Sequence, residues 1–583
     1  MVDFQVTVAM SAPRAESLSP ITDADWNYAR AAHLLERAGF GGTPGEIDWL
    51  AIMTPEAAVE TLVDYRSIDV SRLPEFEESG FWEPSFQNFP VSRPAATELA
   101  ERSGEAMGVR VKPGGSRPLQ PVTNRFFYWL RATTLETRRL NHWWLDRMVR
   151  TPRPLEEKLT LFWHGHFATS EEKLRDYRKI ALQIETLRTH ATGNFGDLLV
   201  AIARDPAMLV FLDAAQNVKG APNENFGREV MELFTMGVGN YTEDDIREAA
   251  RAFTGWGNDD LSFVVDPDKH DAGAKRFLGR EGNFTGEDIL RIILEQKQTA
   301  IYIASKLYRF FVREEISPAF AETLGTLLRD ANYEIAPFLR TIFLSEDFYA
   351  EPSVATHIKS PTELIVSTYR KLGLGELPGI PDPYTASKTL GQILLYPPTV
   401  AGWSQGRSWI TPGLLFERAN FAREVMFPNI IEFSDPLHNP GEEIRRVNRN
   451  IVNGLEITAA TLEDGAAPSA TAGIQETFNT RYASLIGYAE AVRKLKPIPR
   501  AAAQFSLSHS VLEAGAKTTG EAVDLLINQL LRVALSAQAR EALIGTLSDE
   551  LGTTDLAEAD SYLEHGLRVV AHLIMSSPQY QLA

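Results

Sequence analysis

The chain has 583 residues, 44% hydrophobic and 23% charged, the composition of a globular protein too long for one simple core. Its formal charge is −19, from 58 basic and 77 acidic side chains, which excludes a nucleic-acid or anionic-membrane binder that depends on a basic face. With no cysteine, disulfides, thiolate zinc sites and cysteine nucleophiles are excluded, and any metal must be held by His, Asp, Glu or carbonyl oxygen.

The opening MVDFQVTVAMSAPRAESLSP lacks the basic start and unbroken apolar run of a signal peptide. No stretch reaches the roughly 18 consecutive apolar residues of a spanning helix. As it stands the chain reads as cytoplasmic, and export would require a start upstream. DADWNYARAAHLLERAGFGG predicts a helix with Trp26, Ala29, Leu34 and Leu35 near one side, ended at Gly39 to Gly42. TPGEIDWLAIMTPEAAVETLVDY predicts two short helices, each opened by Thr-Pro. Residues 80–121, rich in Pro, Gly and Ser, read as a long surface connection with one short helix.

From Asn124 to about Arg423 the helical pattern is strongest, beginning with the aromatic-rich FFYWLRATTLETRRLNHWWLDRMVR. GNYTEDDI and GNFTGEDI place Thr242 and Thr285 three residues before an aspartate, the arrangement of a capping box. SFVVD is the best strand candidate. LRTIFLSEDFY and LRVVAHLIMSSPQY are both apolar helices closing on a turn that ends in tyrosine, an echo compatible with two related helical lobes. The expected fold is mainly α and multi-helical with little β structure. Its segments are an N-terminal helical segment and connection (1–121), a helical core (122–428), and a C-terminal helical region (429–583) with a linker near 457–475.

Five constellations carry chemistry. In LFWHGHFATSEEKL, His164 and His166 would face nearly opposite ways on a continuous helix, because successive residues turn by about 100°. They could share a metal only if Gly165 broke the helix. The bland alternative packs one ring beneath Trp163 and Phe167 and uses the other as a cap. In NENFGREVMELF, Asn225, Arg228, Glu229 and Glu232 form a patch of amide, guanidinium and two carboxylates at helical spacing. That patch is either a solvated face or a partly buried network. VVDPDKHDAGAKRFLG crowds Asp266, Asp268, His270 and Asp271 into one loop, with glycine and glutamate misplaced for a calcium loop. In YPPTVAGWSQGRSWITPG, Ser404 formally sits in a Gly-x-Ser-x-Gly motif, but prolines on both sides replace the strand and helix that a nucleophile elbow needs. Trp403 and Trp409 can stack on a sugar or pack on the core. Arg138, Arg139, Arg147, Arg150 and Arg153 near Trp143 and Trp144 can hold an anion or make a solvated helix face.

Several segments together, RAAHLLERAGFGGTPGEID, FWHGHFATS, NENFGREVMELFTMGVGNYTEDDIREAARAFTGW, KHDAGAKRFLG, SPTELIVSTYRKLG, PPTVAGWSQGRSWI and SSPQYQ, closely resemble the bacterial family known as domain of unknown function 1800. The resemblance runs from about Ala29 to Gln581. It implies a helical protein from a family with many exported members in bacteria that handle complex polymers, and it transfers no catalytic residues.

Residue chemistry supplies the functional expectation: a metal-dependent hydrolase acting on a polymer, a polysaccharide in its most concrete form. His164 and His166 would bind one divalent ion whose water becomes the nucleophile. Glu229, Glu232, His270 and Asp271 would be catalytic, with Asn225, Arg228, Trp403 and Trp409 on the substrate. A metal-free variant uses Glu229 and Glu232 as acid and base. The alternative is a non-catalytic glycan- or protein-binding or assembly protein whose polar cluster is a buried network.

Overall fold

Helix starts in this chain are local chemistry. Thr43 accepts from the Glu46 amide while the Glu46 carboxylate accepts from the Thr43 amide (3.3 and 2.8 Å), and proline fills the next position, so Pro44–Ala51 begins where the Thr-Pro step predicts. Thr54 opens Pro55–Val63 with the side-chain half alone, accepting from the Ala57 amide at 3.2 Å. Thr242 and Thr285 both close the predicted capping boxes, opening Glu243–Ala252 and Gly286–Leu294.

The computed structural model describes residues 13–88, 119–435 and 480–583. The first twelve residues, most of the connection at 80–121 and the linker near 457–475 lie outside the described residues. Among those described there are 23 α-helices and two two-stranded sheets, so the fold is mainly α as expected. SFVV is a strand, Ser262–Val265, paired antiparallel with Trp256–Asp259; a second hairpin joins Lys275–Phe277 to Arg280–Gly282. No described helix is long and apolar enough to cross a membrane.

The main apolar core draws on residues from Ile21 to Tyr580, so the N-terminal, central and C-terminal helices pack on common ground. A second, aromatic core forms where the first half of Gln120–Arg150 meets Thr480–Lys494 and the segment around Phe81 and Phe86. Gly487 is required there, because a β-carbon would press into the backbone of Phe127 and Tyr128. Ile335–Leu344 and Leu563–Ser576 each run into a short 3-10 turn ending at or beside a buried tyrosine, Tyr349 and Tyr580, which is the local form the sequence echo predicts.

One buried ionic cluster ties the ends of the chain together. The Glu36 carboxylate meets Lys371 at 2.9 Å, Lys359 at 3.2 Å and Arg532 at 3.2 Å. Lys371 also donates to Leu530 O and Lys359 to Tyr580 O. Every charge in it has a partner, the condition under which buried ions are tolerated.

Candidate functional site

The helix Pro154–His166 runs unbroken through Gly165, so the glycine does not swing the two histidines together. Each ring holds a different motif. The Leu395 amide donates to His164 Nε2 at 3.1 Å, which leaves the proton on Nδ1, buried and without a hydrogen bond. Trp144 and Trp403 cover that ring edge-on, and burial lowers its pKa to about 3, so His164 is neutral. Leu395 is fully buried yet has φ +72°, a left-handed conformation costly for a leucine and held by this bond and by the Glu171 amide on its carbonyl (3.0 Å). Gly402 packs directly on Gly165, where a β-carbon would collide with the Gly165 carbonyl, and its φ of +81° needs glycine as well.

His166 points to the other motif. Its Nε2 donates to Phe234 O at 3.0 Å; Nδ1 is therefore an acceptor and takes a hydrogen bond from Lys306 Nζ, also at 3.0 Å. Phe162 stacks on the ring at 6.0 Å, and burial together with Lys306 holds His166 neutral. Phe234 belongs to a single π-turn, Glu232–Met236, that continues the helix Glu224–Met231. The extra residue in this turn leaves carbonyls free to accept from the side. Tyr302 donates to Leu233 O at 3.0 Å, His166 takes Phe234 O, and Thr235 Oγ1 donates back to Val230 O at 2.6 Å. Gly237, at φ +78°, ends the turn flat against the Tyr302 ring.

Around this turn the titratable groups are partly buried and unevenly partnered. Tyr241 donates to Glu232 at 2.6 Å, and burial plus that carboxylate pushes the phenol well above its usual range. The Glu229 carboxyl group has no hydrogen-bond or ion-pair partner among the described residues; burial and the neighbouring Glu232 raise its pKa. Tyr302 is raised to about 12 by burial and by Glu232. Burial lowers Lys306 to about 8, with its ammonium 5.0 Å from the Tyr302 ring and no carboxylate in ion-pair reach among the described residues. Carboxyl, phenol and amine groups with displaced pKa values on the segments flanking one turn are the raw material of acid–base chemistry.

Of the residues singled out by sequence, Glu229 and Glu232 stand together beside this turn and His166 binds its Phe234 carbonyl; the others lie elsewhere. Arg228 forks onto Glu243 (2.8 and 3.1 Å) and reaches Glu224 (3.2 Å) on the solvent side, and Asn225 is exposed and donates to Leu212 O, so neither orients the two carboxylates. His270 donates from Nδ1 to Thr254 O at 2.9 Å. Asp271 accepts from Arg251 at 2.8 Å, which lowers its pKa to about 2, and both residues serve the loop between the hairpins. Trp403 and Trp409 are 6% and 4% exposed, packed on the core rather than presented to a ligand. Ser404 is exposed on a loop with no strand leading into it among the described residues. Arg139, Arg147, Arg150 and Arg153 pair with carboxylates, while Arg138 lies over the Tyr384 ring.

Among the described residues no three His, Asp or Glu side chains are grouped to hold a metal. Both His166 nitrogens are engaged and the single protonated nitrogen of His164 cannot ligate, so the pair does not fit a shared ion. Sequence reasoning missed Tyr302, Lys306 and Tyr241. The available signal was KLYRFF, a lysine set among aromatic and apolar residues of the helix Lys297–Phe311.

Residues 33–582, nearly the whole chain, match the family described as "Protein of unknown function (DUF1800)", and the chain belongs to that family. Neither the comparison with curated proteins nor that with solved structures gives a match.

Proposed function

We propose that this member of the DUF1800 family is a hydrolase acting on a polymer, with Glu229 and Glu232 beside the π-turn at Glu232–Met236 as its acid and base. The observation that supports the reading most is the contrast between two adjacent carboxyls: Glu229, unpartnered and with its pKa raised, and Glu232, held by the Tyr241 hydroxyl. Glu229 donates a proton to the leaving group and Glu232 takes one from water. Both stand on one helical face, i and i+3, so they reach a substrate from the same side. Glycosidases flank their bond from both sides, whereas at an acyl carbon one base can serve entry of the nucleophile and departure of the leaving group from a common side. The substrate is therefore an ester- or amide-bearing polymer, an acylated polysaccharide in keeping with the resemblance of this chain to proteins of polymer-handling bacteria. The formal charge of −19 favours a neutral or cationic one. The test is acetate release from acetylated polysaccharides by wild type and Glu229→Gln. Release by the wild type that the variant loses supports the reading; release unaffected by the variant removes the π-turn from the chemistry.

A second reading, glycan or partner binding without catalysis, is favoured by a different place in the fold. An open cleft of about 420 Å³ lies between the helix Pro383–Leu390 and the helix Pro412–Met426 with the residues that follow it. Glu417, Asn420, Glu424, Asn429 and Glu432 line it, acceptors and amides suited to hydroxyl or amine groups. Burial, then Glu417, raises the Glu424 carboxyl. Binding of a glycan lost on Glu424→Gln, with no product formed, would put this reading first.

A further inference from the structure

We propose that Lys306 is a nucleophilic amine, aimed by His166, that forms a covalent imine with an aldehyde or ketone reaching the π-turn. The geometry is that of a nucleophile with a positioned partner: Phe234 O fixes the His166 tautomer, His166 Nδ1 accepts from Lys306 Nζ, and both contacts are 3.0 Å. Lys306 is half-buried, with its ammonium 5.0 Å from the Tyr302 ring and no carboxylate in ion-pair reach among the described residues. His166 is buried and neutral, so it is a positioning residue and not the base. An amine desolvated against aromatic surfaces is the setting in which lysine acts as a nucleophile.

The step balances without an oxidant or reductant. Nζ releases a proton to solvent, and its lone pair adds to the carbonyl carbon as the C=O pair moves to oxygen, which takes a proton. The proton on that oxygen comes from the nitrogen, which gives a neutral carbinolamine; a second proton from solvent lets the oxygen leave as water while the nitrogen lone pair forms C=N, leaving a protonated imine that returns its proton to solvent. This chemistry is independent of the hydrolytic reading, since it uses neither Glu229 nor Glu232.

The experiment treats the full-length protein with glycolaldehyde, a small uncharged sugar-like carbonyl, and cyanoborohydride, and locates adducts by peptide mass spectrometry. With a pKa of about 8, roughly 10% of the Lys306 amine is neutral at pH 7, against well under 0.1% for an ordinary lysine. Lys306 should therefore be modified about tenfold faster than the other lysines, or more, with half-maximal rate near pH 8. Modification no faster than that of surface lysines, or a pH profile shared with them, overturns the proposal. His166→Gln, folded by circular dichroism, should slow labelling of Lys306 alone; an unchanged rate removes His166 from the arrangement. Glu229→Gln should leave labelling intact even if hydrolysis is lost, which separates the two readings.

Discussion

The Glu36 cluster and the π-turn hold similar residue types in opposite conditions. Around Glu36, two lysines and an arginine close on one carboxylate, and the remaining ammonium protons go to backbone carbonyls. Around the π-turn, Lys306 has one neutral partner and Glu229 has none among the described residues. A buried charge with all its partners inside the fold is committed to stability. A half-buried charge left without them is destabilising to keep, and it is the kind that a ligand can complete.

The contrast breaks most sharply if Glu36 is removed. Glu36→Ala leaves Lys359, Lys371 and Arg532 facing each other without compensation and should cost about 3–5 kcal/mol in denaturant melts. Burial alone would raise the Glu36 pKa, but Lys371, Lys359 and Arg532 more than offset it and hold it well below the usual range. Its contribution is thus fully present above the unfolded carboxylate pKa and is lost as pH falls through the folded one, so acid should destabilise wild type more than Glu36→Gln.

At the π-turn the expectation is inverted. Glu229→Gln should reduce hydrolysis by about 10²–10⁴-fold while melting within about 0.5 kcal/mol of wild type. Equal losses of stability and activity would make this patch another structural cluster. Gly402→Ala tests the joint between motifs: the left-handed backbone and the collision with Gly165 should together cost about 2–4 kcal/mol by thermal melt.

The smallest effect concerns Glu171, buried with neither oxygen in a hydrogen bond of ordinary geometry, only Thr137 and the Asp176 amide giving slight relief. Burial and Asp176 raise its pKa well above normal, so the folded state keeps a proton that the unfolded chain releases and wild-type stability falls as pH rises. Glu171→Gln should gain about 1 kcal/mol at pH 8, and its advantage should shrink toward pH 5; an advantage constant with pH would mean that Glu171 is ionised in the fold.

The helix starts were legible because Thr43, Thr242 and Thr285 act on amides three residues away, and SFVV pairs with a neighbour in its own hairpin. His166, Glu229 and Glu232 were legible as chemistry-bearing residues, but not as a site. Lys306 lies 140 residues from His166, and nothing local marks its ammonium as unpaired. Arg228 and Asp271, whose residue types also suit a site, are paired in the fold with Glu243 and Arg251, which no local pattern announces.

By itself, then, the sequence determined the helical class, the places where helices begin, the family, and the exclusion of cysteine chemistry, since caps, periodicity and composition act over a few residues or over the whole chain. Only the tertiary structure decided that His164 serves the turn at Leu395, that His166 serves a π-turn, and that Lys306 is left as an amine near neutrality. Hydrogen-bond partners and desolvation are set by residues distant in sequence, and no local pattern encodes who arrives beside whom.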